Sequence, residues 1–225
     1  HLGGPGHPLG PALRADLAQS SALRVVPRLA INETLRLMQR PTTSVVDFDV
    51  AREIATRDGI KAVLDGNIVA LGGRYVVSTR LVSAQSGEEL AAFREEAASQ
   101  NDLIPAVGRL AKQLRAKVGE SLKTVREATA LERVTTGSME ALSKYAAALA
   151  MLEQTSDLTR VIPLLEEAVA IDSTFAMAWR RLAAHHSTAG QRDRAARAAA
   201  QGYRYRDRLS EVERHLTVAA YYQYG

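Results

Sequence analysis

From residue 138 to its end the chain repeats itself every 34 residues, and a repeat of that length admits few folds. Tyr145 and Trp179 stand 34 residues apart, as do Ala148 and Leu182, Ser156 and Gly190, and Ala168 and Gly202. Glu166-Glu-Ala-Val-Ala-Ile-Asp172 closes one unit, and Phe175-Ala-Met-Ala-Trp179 opens the next. A unit of this size buries its apolar face only against a neighbour, so stacked helices are expected. Three Phe and one Trp among many Ala and Leu suit helices that pack through small residues. Ser210-Glu-Val-Glu213 reads as a capping box that opens one further helix, the truncated start of a third unit.

These residues resemble the tetratricopeptide repeat: a large aromatic early in helix A, small residues where the helices cross, an Ala late in helix B and a helix breaker before the next unit. Ser173 stands where that family usually has Pro, Val161 where it has Ala, and Gly202 where it has the helix-B Ala. The resemblance implies a concave groove lined by helix A, which here comprises Ser143, Ala146, Ala150, Met177, Arg180, Ala184 and Thr188. Ala150 and Ala184 occupy the places where some relatives carry the Asn of a carboxylate clamp, which leaves Arg180 to meet an acidic group.

The first half follows different periods. Leu9, Leu13 and Leu17 mark one helical stripe, and Ile31, Leu35 and Met38 another. Leu23-Arg-Val-Val26 reads as a short strand ended by Pro27. Asp49 reads as the cap of a helix that runs to Arg57 and closes at Asp58-Gly59. From Lys61 the period drops to two. The runs 62–71, 74–84 and 89–98 are separated by Gly72-Gly73 and Ser86-Gly87, which predicts an antiparallel meander with one buried face. Leu103, Val107, Leu110, Leu114 and Val118 predict a long helix over that face. The expected organisation is α+β: a small α/β domain over 1–120, a connector over 121–137, and all-α helical repeats over 138–225.

Read together, the two halves look like a wider bacterial architecture. The segments are Gly119-Glu-Ser-Leu122, Leu131-Glu-Arg-Val-Thr-Thr136, Ser138-Met-Glu-Ala-Leu-Ser-Lys-Tyr145 and Arg206-Asp-Arg-Leu-Ser210. They resemble tetratricopeptide proteins with a TolB-like amino-terminal domain, which in many relatives follows a serine/threonine kinase domain and one transmembrane helix. Relatives usually open with an apolar strand that has no counterpart here. The resemblance implies a non-catalytic interaction region on the extracytoplasmic, periplasmic side of a membrane-associated sensor. Residue 1 is His within a Gly/Pro-rich start, which reads as a fragment or a processed chain.

Chemical motifs are few. With no cysteine there are no disulfides, thiolate metal sites or cysteine nucleophiles. Neither phosphate-binding glycine pattern occurs, nor any kinase signature segment. His185 and His186 are adjacent, and neighbours on a helix point about 100° apart, so they suit packing better than one metal ion. His215 reads as surface, and His1 and His7 lie near the start. The paired acids Asp47/Asp49, Glu88/Glu89, Glu95/Glu96 and Glu166/Glu167 read as caps, strand ends or solvated faces. No catalytic residue, cofactor or metal is expected.

Charge is polarised. Residues 176–225 hold nine Arg against four acids, whereas 138–175 hold six acids against Lys144 and Arg160. This suits a solvated or protein-facing surface first, then an acidic or membrane partner, and nucleic acid least. The candidate partner-binding residues are therefore Ser143, Met177, Arg180 and Thr188 in the groove, Arg204 and Arg206 beyond it, and Tyr221, Tyr222 and Tyr224 at the open end. The expected partner is a protein, and a membrane complex would be reached by docking or through sequence outside this chain. The rival reading is a membrane-extrinsic scaffold subunit that stabilises such a complex.

Overall fold

The computed structural model describes residues 7–44, 46–128, 130–154 and 157–224. His1, the rest of the Gly/Pro-rich start at 1–6 and Ser156 lie outside the described residues. The fold is mixed α/β, with one three-stranded antiparallel sheet and otherwise mostly helix.

Helix α1 (Leu9–Leu17) forms on its leucine stripe, and all three leucines are buried. Helices α2 (Arg28–Leu37) and α3 (Phe48–Arg57) share a small core of Leu35, Val50 and Ile54, flanked by Ile31, Met38 and Val46. The cap of α3 is Asp47 and not Asp49: the Asp47 carboxylate accepts the Val50 N–H at 2.9 Å, and Asp49 lies in the first turn. Residues 23–26 form no strand, contrary to the sequence expectation. Leu23 and Val25 do turn to the main core, which explains the alternation, while the Val26 carbonyl accepts from the Arg14 guanidinium at 2.7 Å. A strand needs a ladder partner, and the sheet does not extend to this segment.

The sheet runs β1 (Ala62–Leu71), β2 (Arg74–Ser83) and β3 (Glu89–Ala97) in that spatial order. Gly72 and Gly73 have φ of +56° and +84°, the paired positive φ of a two-residue primed turn, and Leu71 pairs Arg74 across it. Val77 with Leu64, Ile68, Tyr75, Leu81 and Phe93 faces the main core under helix α4 (Leu103–Lys117). The expectation of a single buried face needs correction, because Val76 and Val82 on the opposite face are also buried. Helix α3 covers that face at one end: the Arg80 guanidinium lies 4.6 Å from the Phe48 ring centroid, and Arg52 and Thr56 donate to the Ala84 carbonyl.

The stretch expected as a connector holds two short helices, α5 (Leu122–Glu127) and α6 (Leu131–Val134), and α6 inserts Leu131 and Val134 into the core. Beyond it come α7 (Met139–Gln154), α8 (Leu158–Ile171), α9 (Ala176–Thr188), α10 (Arg192–Arg204), a 3₁₀ turn at Arg206–Arg208 and α11 (Glu211–Tyr224). Lys144 in the first half of α7 pairs with Glu167 in the second half of α8 at 2.5 Å, so the two run antiparallel. Likewise Gly202, near the end of α10, lies against Trp179 and Arg180 near the start of α9. Helix α11 returns beside α9 and α10. One continuous buried cluster runs from Leu9 and Leu110 through Leu131 and Val134 to Tyr145, Leu165, Phe175 and Leu182. Among the described residues no helix is long and apolar enough to cross a membrane.

Candidate functional site

The carboxyl-terminal helices assemble an arginine–tyrosine surface from residues that the sequence singles out separately. Helix α10 buries only small residues, Ala195, Ala198, Ala199 and Gly202, and turns its arginines outward. Its end and the following 3₁₀ turn carry Tyr203, Arg204, Tyr205 and Arg206 in succession. The Arg206 guanidinium lies 4.0 Å from the Tyr203 ring centroid and also donates to the Tyr203 carbonyl at 2.9 Å. Tyr203 in turn stacks on Tyr221 of α11, with centroids 4.3 Å apart and planes 25° apart. Tyr222 meets Tyr221 edge-on at 5.4 Å and is 74% exposed. Arg204 lies over the Tyr205 ring at 5.6 Å and is exposed. Each contact fixes a guanidinium or ring that would otherwise be mobile, and stacked and cation–π pairs add roughly 0.5–1.5 kcal/mol each. Arg206, Tyr221 and Tyr222 are thus brought together through Tyr203, and Arg204 adjoins Tyr203 in the chain. Tyr224 is not part of the surface: it is half-buried against the main core.

The groove residues fare differently. Met177 and Ala146 are buried, at 6% and 1% exposure, so Met177 is not available to a partner in this chain and is corrected from binding residue to core residue. Ser143 is half-buried and its hydroxyl donates to the Met139 carbonyl within α7. Thr188 is exposed and donates to the Ala184 carbonyl. The acidic group that Arg180 meets belongs to the chain itself: Glu213 of α11, at 2.7 Å. That pairing also revises the capping box. Ser210 accepts from the Glu213 N–H at 3.5 Å, but the Glu213 carboxylate reaches to α9.

The histidines are packing and surface groups. His186 is buried and shares a 2.7 Å hydrogen bond between its Nδ1 and Gln191. Burial, with Arg181 and His186 adjacent, holds His185 below the ordinary imidazole value. His215 is exposed beside Glu211. Among the described residues no group of three or more His, Asp or Glu side chains is placed to hold a metal ion.

The sequence reading missed a buried charge cluster where α1, α4 and the α4–α5 corner meet. Arg115 has no exposed surface. It donates to Glu120 through Nε at 3.0 Å and Nη2 at 2.6 Å, and to Asp16 through Nη1 at 3.5 Å. Ser20 donates to the same Glu120 oxygen, Oε2, that accepts from Arg115 Nε. Asp16 is fully buried, and among the described residues its Oδ2 has no hydrogen-bond partner. Arg115 holds Glu120 below the usual carboxylate range by direct hydrogen bonding, whereas burial pushes Asp16 up to about 6. A signal did exist in the sequence: Ile104, Gly108, Ala111 and Arg115 continue a second buried stripe along α4. A cleft of about 280 Å³ opens beside this cluster between α5 and the start of α11, bordered by Gln19, Arg115, Thr124, Ser210 and Val212.

Comparison of the chain with protein-family models, with curated proteins and with solved structures finds no match.

Proposed function

We propose that the chain is a non-catalytic protein–protein interaction module: a small TolB-like α/β domain joined to tetratricopeptide-like helical repeats, forming the extracytoplasmic, membrane-associated part of a bacterial sensor or signalling protein. The observation that carries this reading is the 34-residue interval in the second half of the chain. Ala148 and Leu182, one interval apart, are both buried inside the first helix of an antiparallel pair. Ala168 and Gly202 are both buried late in the second helix. Thr136 donates to Asp172, and Arg208 bonds Thr174, so the segment before each helix pair is tied to the segment after it. Stacked helix pairs of this kind present extended side-chain surfaces, which suit partner binding.

The second reading, a membrane-extrinsic scaffold subunit, is favoured by one observation: Arg204 at the end of α10 and Arg206 in the following turn have no carboxylate within 4.0 Å among the described residues. Native membranes distinguish the two. After a high-salt wash, intact complexes are separated on a native gel and identified by mass spectrometry. The sensor reading expects the chain to stay with the membrane, with peptides of an anchor on the same polypeptide. A short polypeptide released by salt and migrating in stoichiometric amount with a large assembly selects the scaffold, because contacts of exposed charges weaken within a Debye length as ionic strength rises. A chain found in no complex at all sinks both.

A further inference from the structure

Arg206 is half-buried and held on two sides, while Arg204 near it in the chain is exposed. The Arg206 guanidinium is held by the Tyr203 ring and the Tyr203 carbonyl, yet no carboxylate among the described residues lies within 4.0 Å of it or of Arg204. Residues 192–208 hold six Arg against Asp193 and Asp207. The one carboxylate of α11 that faces the bundle, Glu213, is already taken by Arg180. A planar guanidinium fixed on a ring, with N–H groups left over, is pre-organised for a carboxylate and loses little side-chain entropy on pairing. Two rings along the same stack, Tyr222 stands 74% exposed, supported from behind by Tyr221. Arg and Tyr in this combination are the residue types that carry most interface energy.

Resting on the reading of the chain as an interaction module, we propose that the surface of Tyr203, Arg204, Arg206, Tyr221 and Tyr222 docks an acidic protein segment, whose carboxylates meet the two arginines and whose apolar side chains cover Tyr222. Two other anionic partners fit less well. Single-stranded nucleic acid needs free ring faces for its bases. Tyr203 and Tyr221 are stacked on each other, and Arg206 is stacked on Tyr203. A lipid surface is served by long cationic side chains that swing out toward headgroups, whereas Arg206 is tied to the backbone of its own turn.

The test is fluorescence anisotropy with the full chain and a labelled peptide of alternating Glu, Asp, Leu and Tyr. Its Gln/Asn counterpart, vesicles of equal phosphatidylcholine and phosphatidylglycerol, and oligothymidylate serve as comparisons. The acidic peptide binds, and raising the salt to about 1 M, where the Debye length is about 3 Å, weakens it by about tenfold or more. Arg206→Ala and Arg206→Lys each weaken binding by about tenfold, the latter because charge alone does not replace the fork. Tyr222→Ala weakens it about fivefold, and its exposure leaves the fold intact. Arg192→Ala, at the other end of α10, changes binding by less than about twofold. Equal binding of the amide peptide, indifference to both Arg206 substitutions, or binding of vesicles or oligothymidylate in place of the acidic peptide each overturns the proposal. A native complex whose cross-links map elsewhere on the chain overturns it too, while leaving the interaction-module reading standing.

Discussion

At the scale of single residues, Arg115 is the most consequential side chain outside the proposed surface. It neutralises Glu120 through two hydrogen bonds, and Asp16 receives only a third at 3.5 Å. Removing one member of a buried ion cluster strands the others, so Arg115→Ala is expected to cost about 3–5 kcal/mol in urea unfolding. Asp16 behaves in the opposite sense. Its carboxyl gives up a proton near 3.8 when unfolded and near 6 when folded, so folding takes up a proton between those values. Stability from this group is therefore greatest below pH 3.8 and falls as pH rises to about 6, by up to about 3 kcal/mol. Asp16→Asn removes this dependence. Measured at pH 7.5, the variant should be more stable than the parent, and the stability of the parent should approach it as the buffer is taken toward pH 5. A variant that is less stable at every pH would show that the 3.5 Å bond to Arg115 outweighs burial.

At the scale of elements, local geometry yields two contrasts. Asp47→Ala removes the side-chain cap of α3 and should cost about 1 kcal/mol, whereas Asp49→Ala should change stability by only a few tenths. Sequence alone points to Asp49 because both aspartates precede the apolar stripe, and the choice depends on which backbone turns first. In α10, a Cβ added at Gly202 would meet Thr217, Arg180 and Trp179 no closer than 3.4 Å, and the backbone there is helical. Gly202→Ala is therefore expected to raise stability by about 0.5–1 kcal/mol, read as a higher melting temperature. The elements themselves were largely legible. The period-two runs give the three strands within a residue, and the Gly-Gly pair gives their first turn, because both signals are local. What periodicity does not report is what lies against a face. It marks Leu23–Val26 as alternating but not as lacking a ladder partner. It places Met177 toward the groove although the residue is buried, and it offers no sign that α3 caps the second face of the sheet.

At the scale of the whole molecule, the core does not stop where the sequence period changes. Leu131 is 1% exposed and belongs to the same buried cluster as Leu110 and Tyr145, and its Cβ lies close against Gly108 of α4. Leu131→Ala should cost about 2–5 kcal/mol, and the loss should be shared by both halves. Unfolding followed by Trp179 fluorescence and by the circular dichroism of the sheet should give coincident transitions in the parent and in the variant. Two separated transitions would mark the halves as independent units. The candidate surface was legible only as separate signals, an arginine excess and a tyrosine-rich end. Their meeting depends on α11 folding back beside α10, a tertiary event that no local pattern encodes.

The Arg115–Asp16 contact also sets a timetable for biosynthesis. The two residues are 99 positions apart, which at roughly 5–20 residues per second separates their emergence from the ribosome by several seconds or more. Throughout that interval α1 carries a leucine stripe and a carboxylate with no counterpart yet made. Helix α1 therefore cannot dock until α4 has emerged, and during that interval its leucine stripe is a site for a nascent-chain chaperone.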